Sequence, residues 1–165
     1  MENWSSDGQW LAGNSEGLEN DNSSNLSVTA ADGITELLLK IVEFTQIRQK
    51  ILIQNLNSAQ NPDFVPRDLP VEEFSNLINA AISEYMANHR LVLCDGKNVK
   101  FVKAGNFQAA VLVDEEAKDL FEQDRDEYLQ FEINKMLENT LNQRIALELL
   151  KQKQSGESDI GHCFN

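Results

Sequence analysis

Residues 48–69 read RQKILIQNLNSAQNPDFVPRDL. The stretch opens as an amphipathic helix and closes on two prolines and an Arg67-Asp68 pair, with Asn55, Asn57 and Asn61 where the helix should stop. Asn61-Pro62 is a helix terminator, because the residue before proline is pushed out of the α region. The reading of the whole chain turns on this polar, proline-pinned end to a long apolar helix.

Upstream, apolar residues recur with helical period from Ile34. Ile34, Leu37, Ile41, Phe44 and Ile51 fall on a heptad seam, which Arg48 interrupts. Asp32 is a suitable N-cap, and Glu36 lies where an acid favours the helix dipole. A helix over 32–57 follows, roughly 37 Å long at 1.5 Å per residue. Such a helix packs either on a local core or along a second helix.

Downstream, Pro70 suits the first turn of a second helix, 70–88, with Phe74, Leu77, Ile78, Ala81, Ile82 and Tyr85 on one face. The period then shortens. Leu91–Cys94 and Val99–Val102 flank Asp95-Gly96-Lys97-Asn98, a four-residue hairpin loop. Ala104-Gly105-Asn106 is a second turn and Phe107–Val113 a third strand, so 91–113 reads as a three-stranded meander. Residues 114–127 carry eight acids and two bases, the composition of a solvated linker or helical face. They lack the spacing and glycine of a calcium loop.

The last helix, 127–154, places Leu129, Ile133, Met136, Thr140, Gln143, Leu147 and Leu150 in heptad register. The fold expected is therefore mainly α with a small β insert, an α+β chain. Its long N- and C-terminal heptad helices pair as an antiparallel coiled-coil hairpin around a short helix and the meander. Residues 31–154 form one domain. Residues 1–30, without a basic residue and rich in Ser, Asn, Asp and Glu, read as a disordered tail, and 155–165 as a flexible one. Trp4, Trp10 and Leu11 are the apolar exceptions in the first tail, a docking motif or simply isolated aromatics.

The chain has 165 residues and a formal net charge of −13. That charge disfavours nucleic acid and anionic membrane surfaces and favours basic partners. No apolar run approaches a membrane span, and the first residues do not form a Sec-type signal. Cys94 and Cys163 read as two free thiols. His89 and His162 stand apart, and no zinc, nucleophile-elbow or Walker motif occurs. No enzyme activity, cofactor, metal or small-molecule substrate is expected.

The opening stretch resembles the N-terminal signature of bacterial flagellar basal-body rod proteins, proximal members in particular. That signature runs roughly N-I-A-N-A-x-T-P-G-[FY], followed by K-A-R-D. Asn55, Ala59, Pro62 and Phe64 match it, with Leu56 a similar residue, and Val65 to Leu69 resembles the K-A-R-D continuation. Asp63 stands where the family has glycine, and Ser58 replaces an asparagine. The segment LQFEINKMLENTLNQRIALELLKQK resembles the family's closing helix through Leu129, Phe131, Glu132, Met136, Asn139, Ala146, Leu147 and Leu150. The resemblance covers about 34–75 and 127–152.

It implies a structural rod subunit whose terminal helices pack into a tubular assembly with other basal-body proteins or copies of itself. It also implies passage through the flagellar type III export apparatus without a Sec signal. Asn55, Asn57, Pro62, Phe64, Arg67 and Asp68 would form the turn and assembly motif. Ile34, Leu37, Ile41, Phe44, Ile51, Leu129, Ile133, Met136, Leu147 and Leu150 would pack the helices. The size, acidity and α–β–α order also suit a homodimeric, cytoplasmic type III secretion chaperone, or an acidic protein-binding adaptor.

Overall fold

A computed structural model describes residues 11–12, 33–102 and 107–161. In chain order the elements are β1 (Leu11–Ala12), α1 (Gly33–Ser58), β2 (Arg67–Asp68), α2 (Val71–Asn88), β3 (Val99–Phe101), β4 (Phe107–Ala109), β5 (Leu112–Val113), α3 (Glu115–Gln123) and α4 (Arg125–Gly161). The chain is mainly helical with a small β insert. No helix among the described residues is long and apolar enough to cross a membrane.

Two faces of α1 are buried. One carries Leu37, Phe44 and Ile51, which join Phe74, Ile78 and Ala81 of α2 and Val99, Phe107 and Ala109 of the sheet. Phe44 stacks on Phe74 with centroids 3.9 Å apart, and Phe107 meets both rings edge-on. The other face carries Leu38 and Val42, which cluster with Ala146 and Leu150 of α4. Thr45 and Asn55 of α1 meet Asn139 and Glu132 of α4, so contacts descend α4 as they ascend α1.

α2 has Pro70 at its N-cap position and ends at His89, whose αL backbone (φ 51°) lets its N–H donate to Tyr85 O. Within the acidic stretch 114–127, read as a linker or a helical face, Glu115–Gln123 form a helix with a buried face, and α4 begins at Arg125. Asp114 caps α3 by accepting from Ala117 N–H, and Ala117 and Phe121 are buried. Phe121 meets Phe64 and Tyr128 edge-on, and the Arg125 guanidinium lies 4.0 Å over its ring.

The β region differs from the expected meander. Leu91–Cys94 is not a strand. Gly96 N–H closes a turn onto Val99 O, and the carboxylates of Asp95 and Glu73 take the N–H groups of Phe101 and Asn98. Side chains thus occupy donors that a neighbouring strand would need. The sheet order is β1-β4-β3, with Leu11 opposite Ala109. β5 leaves it to pair antiparallel with β2. Apart from Leu11–Ala12, the stretch read as disordered over 1–30 lies outside the described residues, as do Asp32 and Cys163. Cys94 is exposed and free.

The three-ring stack makes the core sensitive to one deletion. Phe44→Ala should destabilise the fold by about 3–5 kcal/mol, read from urea unfolding with the m-value retained.

Candidate functional site

The end of α1, β2, the start of α3 and the middle of α4 converge on one buried polar junction. Arg48 supplies Nε and Nη2 to the two oxygens of Asp68, each at 2.9 Å. Lys135 Nζ of α4 lies 2.9 Å from the same Asp68 carboxylate and 3.0 Å from Glu132 Oε1, and it also donates to Asp114. Asn55 Nδ2 donates to Glu132 Oε2 at 2.8 Å and to Arg67 O at 2.7 Å, while its Oδ1 accepts from Arg67 N–H at 3.3 Å. Tyr128 OH donates to Asn55 O. No buried side-chain nitrogen or oxygen among the described residues lacks a partner.

Asn55 therefore acts as one rung of backbone. Its amide presents a donor and an acceptor to Arg67, so α1 extends the two-stranded β2–β5 ribbon sideways. The preceding turn brings β2 back. Phe64 N–H reaches Asn61 O, and Asn61 Oδ1 accepts from Asp63 N–H. Asp63 needs no left-handed backbone, because among the described residues the positive-φ non-glycine is His89. The Asn55 amide thus bridges α1 to β2.

Charge sets the ionisation. Burial alone would raise Asp68, but the hydrogen bonds and charge of Arg48, helped by Lys135, hold it below its ordinary value. For Glu132 burial wins, and Lys135 and Asn55 offset it only in part, so its carboxyl is pushed up. Burial would lower Lys135, but Asp68, Asp114 and Glu132 outweigh it and raise it. Burial, then Glu132 and Asp114, push the Tyr128 phenol up. Three carboxylates thus face two cations in a site of low dielectric.

Of the motif residues, Asn55, Arg67 and Asp68 meet here. Phe64 lies beside it, packed on Phe121. Asn57 and Pro62 are exposed and apart. Arg48, Asp114, Tyr128 and Lys135 complete the junction without having been singled out for it. Arg48 had one signal: a charge on a heptad seam needs a buried partner.

The packing residues divide. Leu37, Phe44 and Ile51 are buried against α2 and the sheet rather than α4, and Ile41 packs on both that cluster and the Leu38–Leu150 cluster with α4. Leu150 is buried on α1, while Leu129 and Met136 are half-buried. Ile34, Ile133 and Leu147 are exposed, contrary to expectation. The reason is the seam that α4 actually turns to α1: Tyr128, Glu132, Lys135, Asn139, Ala146 and Leu150, all buried. Its polar members have partners on α1 and β2, so the neighbouring apolar heptad is rotated aside.

On the α2 side of the two long helices lies a cavity of about 330 Å3, lined by Phe44, Phe74, Ile78, Asn142, Ile145 and Leu149 among others. Among the described residues no cluster of His, Cys, Asp and Glu could hold a metal. No protein-family model, curated protein or solved structure matches the chain.

The junction makes two opposite pH predictions. Asp68 stabilises the fold above its unfolded pKa, and that contribution is lost as pH falls through its lower folded value. Glu132 contributes fully below its unfolded pKa, and its contribution is lost as pH rises through its higher folded value. In a stability–pH profile from urea melts, E132Q should therefore remove a gain on mild acidification and keep the acid loss. D68N should remove part of the acid loss. At neutral pH D68N should cost about 3–5 kcal/mol, because it leaves the buried Arg48 without its carboxylate, and E132Q should cost less, because it leaves two carboxylates facing two cations.

Proposed function

We propose that this chain is a structural subunit of the bacterial flagellar basal-body rod, a remote relative of the proximal rod proteins. One observation carries the reading. The residues that bear the resemblance come from two segments, yet Asn55 and Glu132, 77 positions apart, are hydrogen-bonded to each other. Arg67 and Asp68 join them in the same junction. A motif shared by chance has no reason to converge on one buried network.

In this reading the signature is the lock of the subunit. Asn55, Arg67 and Asp68 hold the chain returning from α1 against α4, so that α1 and α4 act as one antiparallel hairpin. The hairpin enters the axial core of the tube, and the β insert with α2 stays at its periphery. Asn57 and Pro62, exposed at the turn, face neighbouring subunits. Export proceeds through the type III apparatus before this junction closes, since a buried ionic cluster forms only in the folded chain. No catalytic step is assigned to any residue.

The test is fractionation of source cells, with basal bodies purified after detergent extraction and probed by antibody. The protein should co-purify with the rod, and deletion of its gene should stop assembly before the hook. A protein confined to the cytoplasm, with intact basal bodies in the deletion strain, would transfer the reading to a type III secretion chaperone.

A further inference from the structure

On the side of the α1–α4 pair away from α2, a line of apolar residues on each helix is exposed among the described residues. Its residues follow from helical phase. On α1, Leu37 and Ile51 enter the core with α2, Leu38 and Leu52 are buried next to them, and Leu39 and Ile53 turn outward beyond α4. On α4, Ile145 lines the cavity on the α2 side and Ala146 faces α1, so Leu147 turns the other way. Ile133 follows Glu132 in the same sense. Leu39, Ile53, Ile133 and Leu147 are 49%, 43%, 43% and 48% exposed, and half-buried Met136 sits between the two lines.

These residues form layers. Leu38 and Val42 cluster with Ala146 and Leu150, which sets Leu39 level with Leu147. Gln49 Oε1 accepts from Asn139 and Thr140, which sets Gln46 near Thr140. Asn55 reaches Glu132, which sets Ile53 level with Ile133. The result is a furrow with an apolar layer, a polar layer and an apolar layer, seven residues apart on each helix. That is the receiving surface for a third helix with a heptad repeat and a polar residue at its centre.

Charge names the helix further. Lys50 lies one turn from Gln46 and Ile53; Arg144 and Lys151 lie one turn either side of Leu147. All three are exposed, and among the described residues none is in an ion pair. In a chain of net charge −13, this flank carries cations along an apolar strip. The furrow runs about 30 Å with its ends, the length of one helix of about 20 residues.

We propose that this furrow docks one acidic amphipathic helix from a partner protein, completing a three-helix bundle with α1 and α4. The helix presents Leu or Ile to the Leu39–Leu147 and Ile53–Ile133 layers. It presents a polar side chain to Gln46 and Thr140, and Glu or Asp to Lys50, Arg144 and Lys151. The proposal goes beyond the rod reading and does not depend on it.

The probe is a designed 21-residue acidic peptide, Leu at the seam positions, Gln at the central one and Glu at the flanks, titrated against the full chain by fluorescence anisotropy. It should bind, and binding should weaken with added salt. The double variant L39D/L147D, changed at half-exposed positions, should keep the wild-type circular dichroism and melting curve while losing at least about tenfold in affinity, 1.4 kcal/mol. The triple variant K50E/R144E/K151E should lose the acidic peptide and gain one with Lys at the flanks. Three results overturn the proposal: no binding, binding that both folded variants retain, or a concentration-dependent dimer by light scattering that L39D/L147D abolishes. The last assigns the furrow to a second copy.

Discussion

Asp68 lies between a cation from α1 and a cation from α4, and the placement of the other elements follows from keeping it there. Two residues of strand cannot hold a position by themselves. Here the strand is short because its side chain is the anchor: Arg48 grips the carboxylate with two nitrogens, and Lys135 closes from the opposite helix. A buried carboxylate with one cation is a costly arrangement, and removing either partner strands a charge. The cluster therefore closes as a unit. Asp114 is bound into it, and the same carboxylate caps α3. Asn55 ties Glu132 to the backbone of Arg67. α1, β2, α3 and α4 become interdependent through one set of polar contacts rather than through a continuous oily seam.

That choice fixes the rotation of α4. A helix turned so that Glu132, Lys135 and Asn139 face inward cannot also bury Ile133, Leu137 and Leu141. The last two are 62% and 58% exposed. Apolar burial is given up here for ionic and amide partners on α1 and β2. Apolar contact then concentrates at the two ends, in the Leu38–Leu150 cluster and in the ring group of Phe64, Phe121 and Tyr128. The polar middle specifies register, since a shift of one turn would leave Asn139 without Thr45 O and Glu132 without Asn55.

Helical content was legible because its signals are local. The ends of α1 and α2 fall within a residue or two of where Asn61-Pro62, Pro70 and the apolar period put them. Asp114 is a sound N-cap signal, and the density of acids around it masked the period of Ala117 and Phe121. The meander failed for a different reason. Whether Leu91–Cys94 pairs depends on who takes the N–H groups of Asn98 and Phe101, and the takers, Glu73 and Asp95, are chosen by tertiary placement. For the junction, periodicity alone misled: Leu129, Ile133, Met136 and Leu147 keep a strict heptad, but the heptad one residue away, polar in its centre, is the buried one. Reading a polar seam as an interface requires knowing its partners. Asn55, Arg67 and Asp68 could be marked in advance through the resemblance, whereas nothing local signals that Lys135, beyond its i,i+3 partner Glu132, also meets Asp68 and Asp114.

The polar seam also bears on what the α1–α4 pair is for. Two helices that bury an ionic cluster gain specificity more than stability, because desolvation consumes much of the Coulomb attraction. A pair held this way is defined in register yet leaves apolar area on its outer flank. For a protein whose work ends in its own fold, that area is a liability. For the rod subunit proposed above, both features are useful, because the folded helix pair presents apolar layers at spacings set in advance by Asn55, Asp68 and Lys135. The network inside thus determines the surface outside.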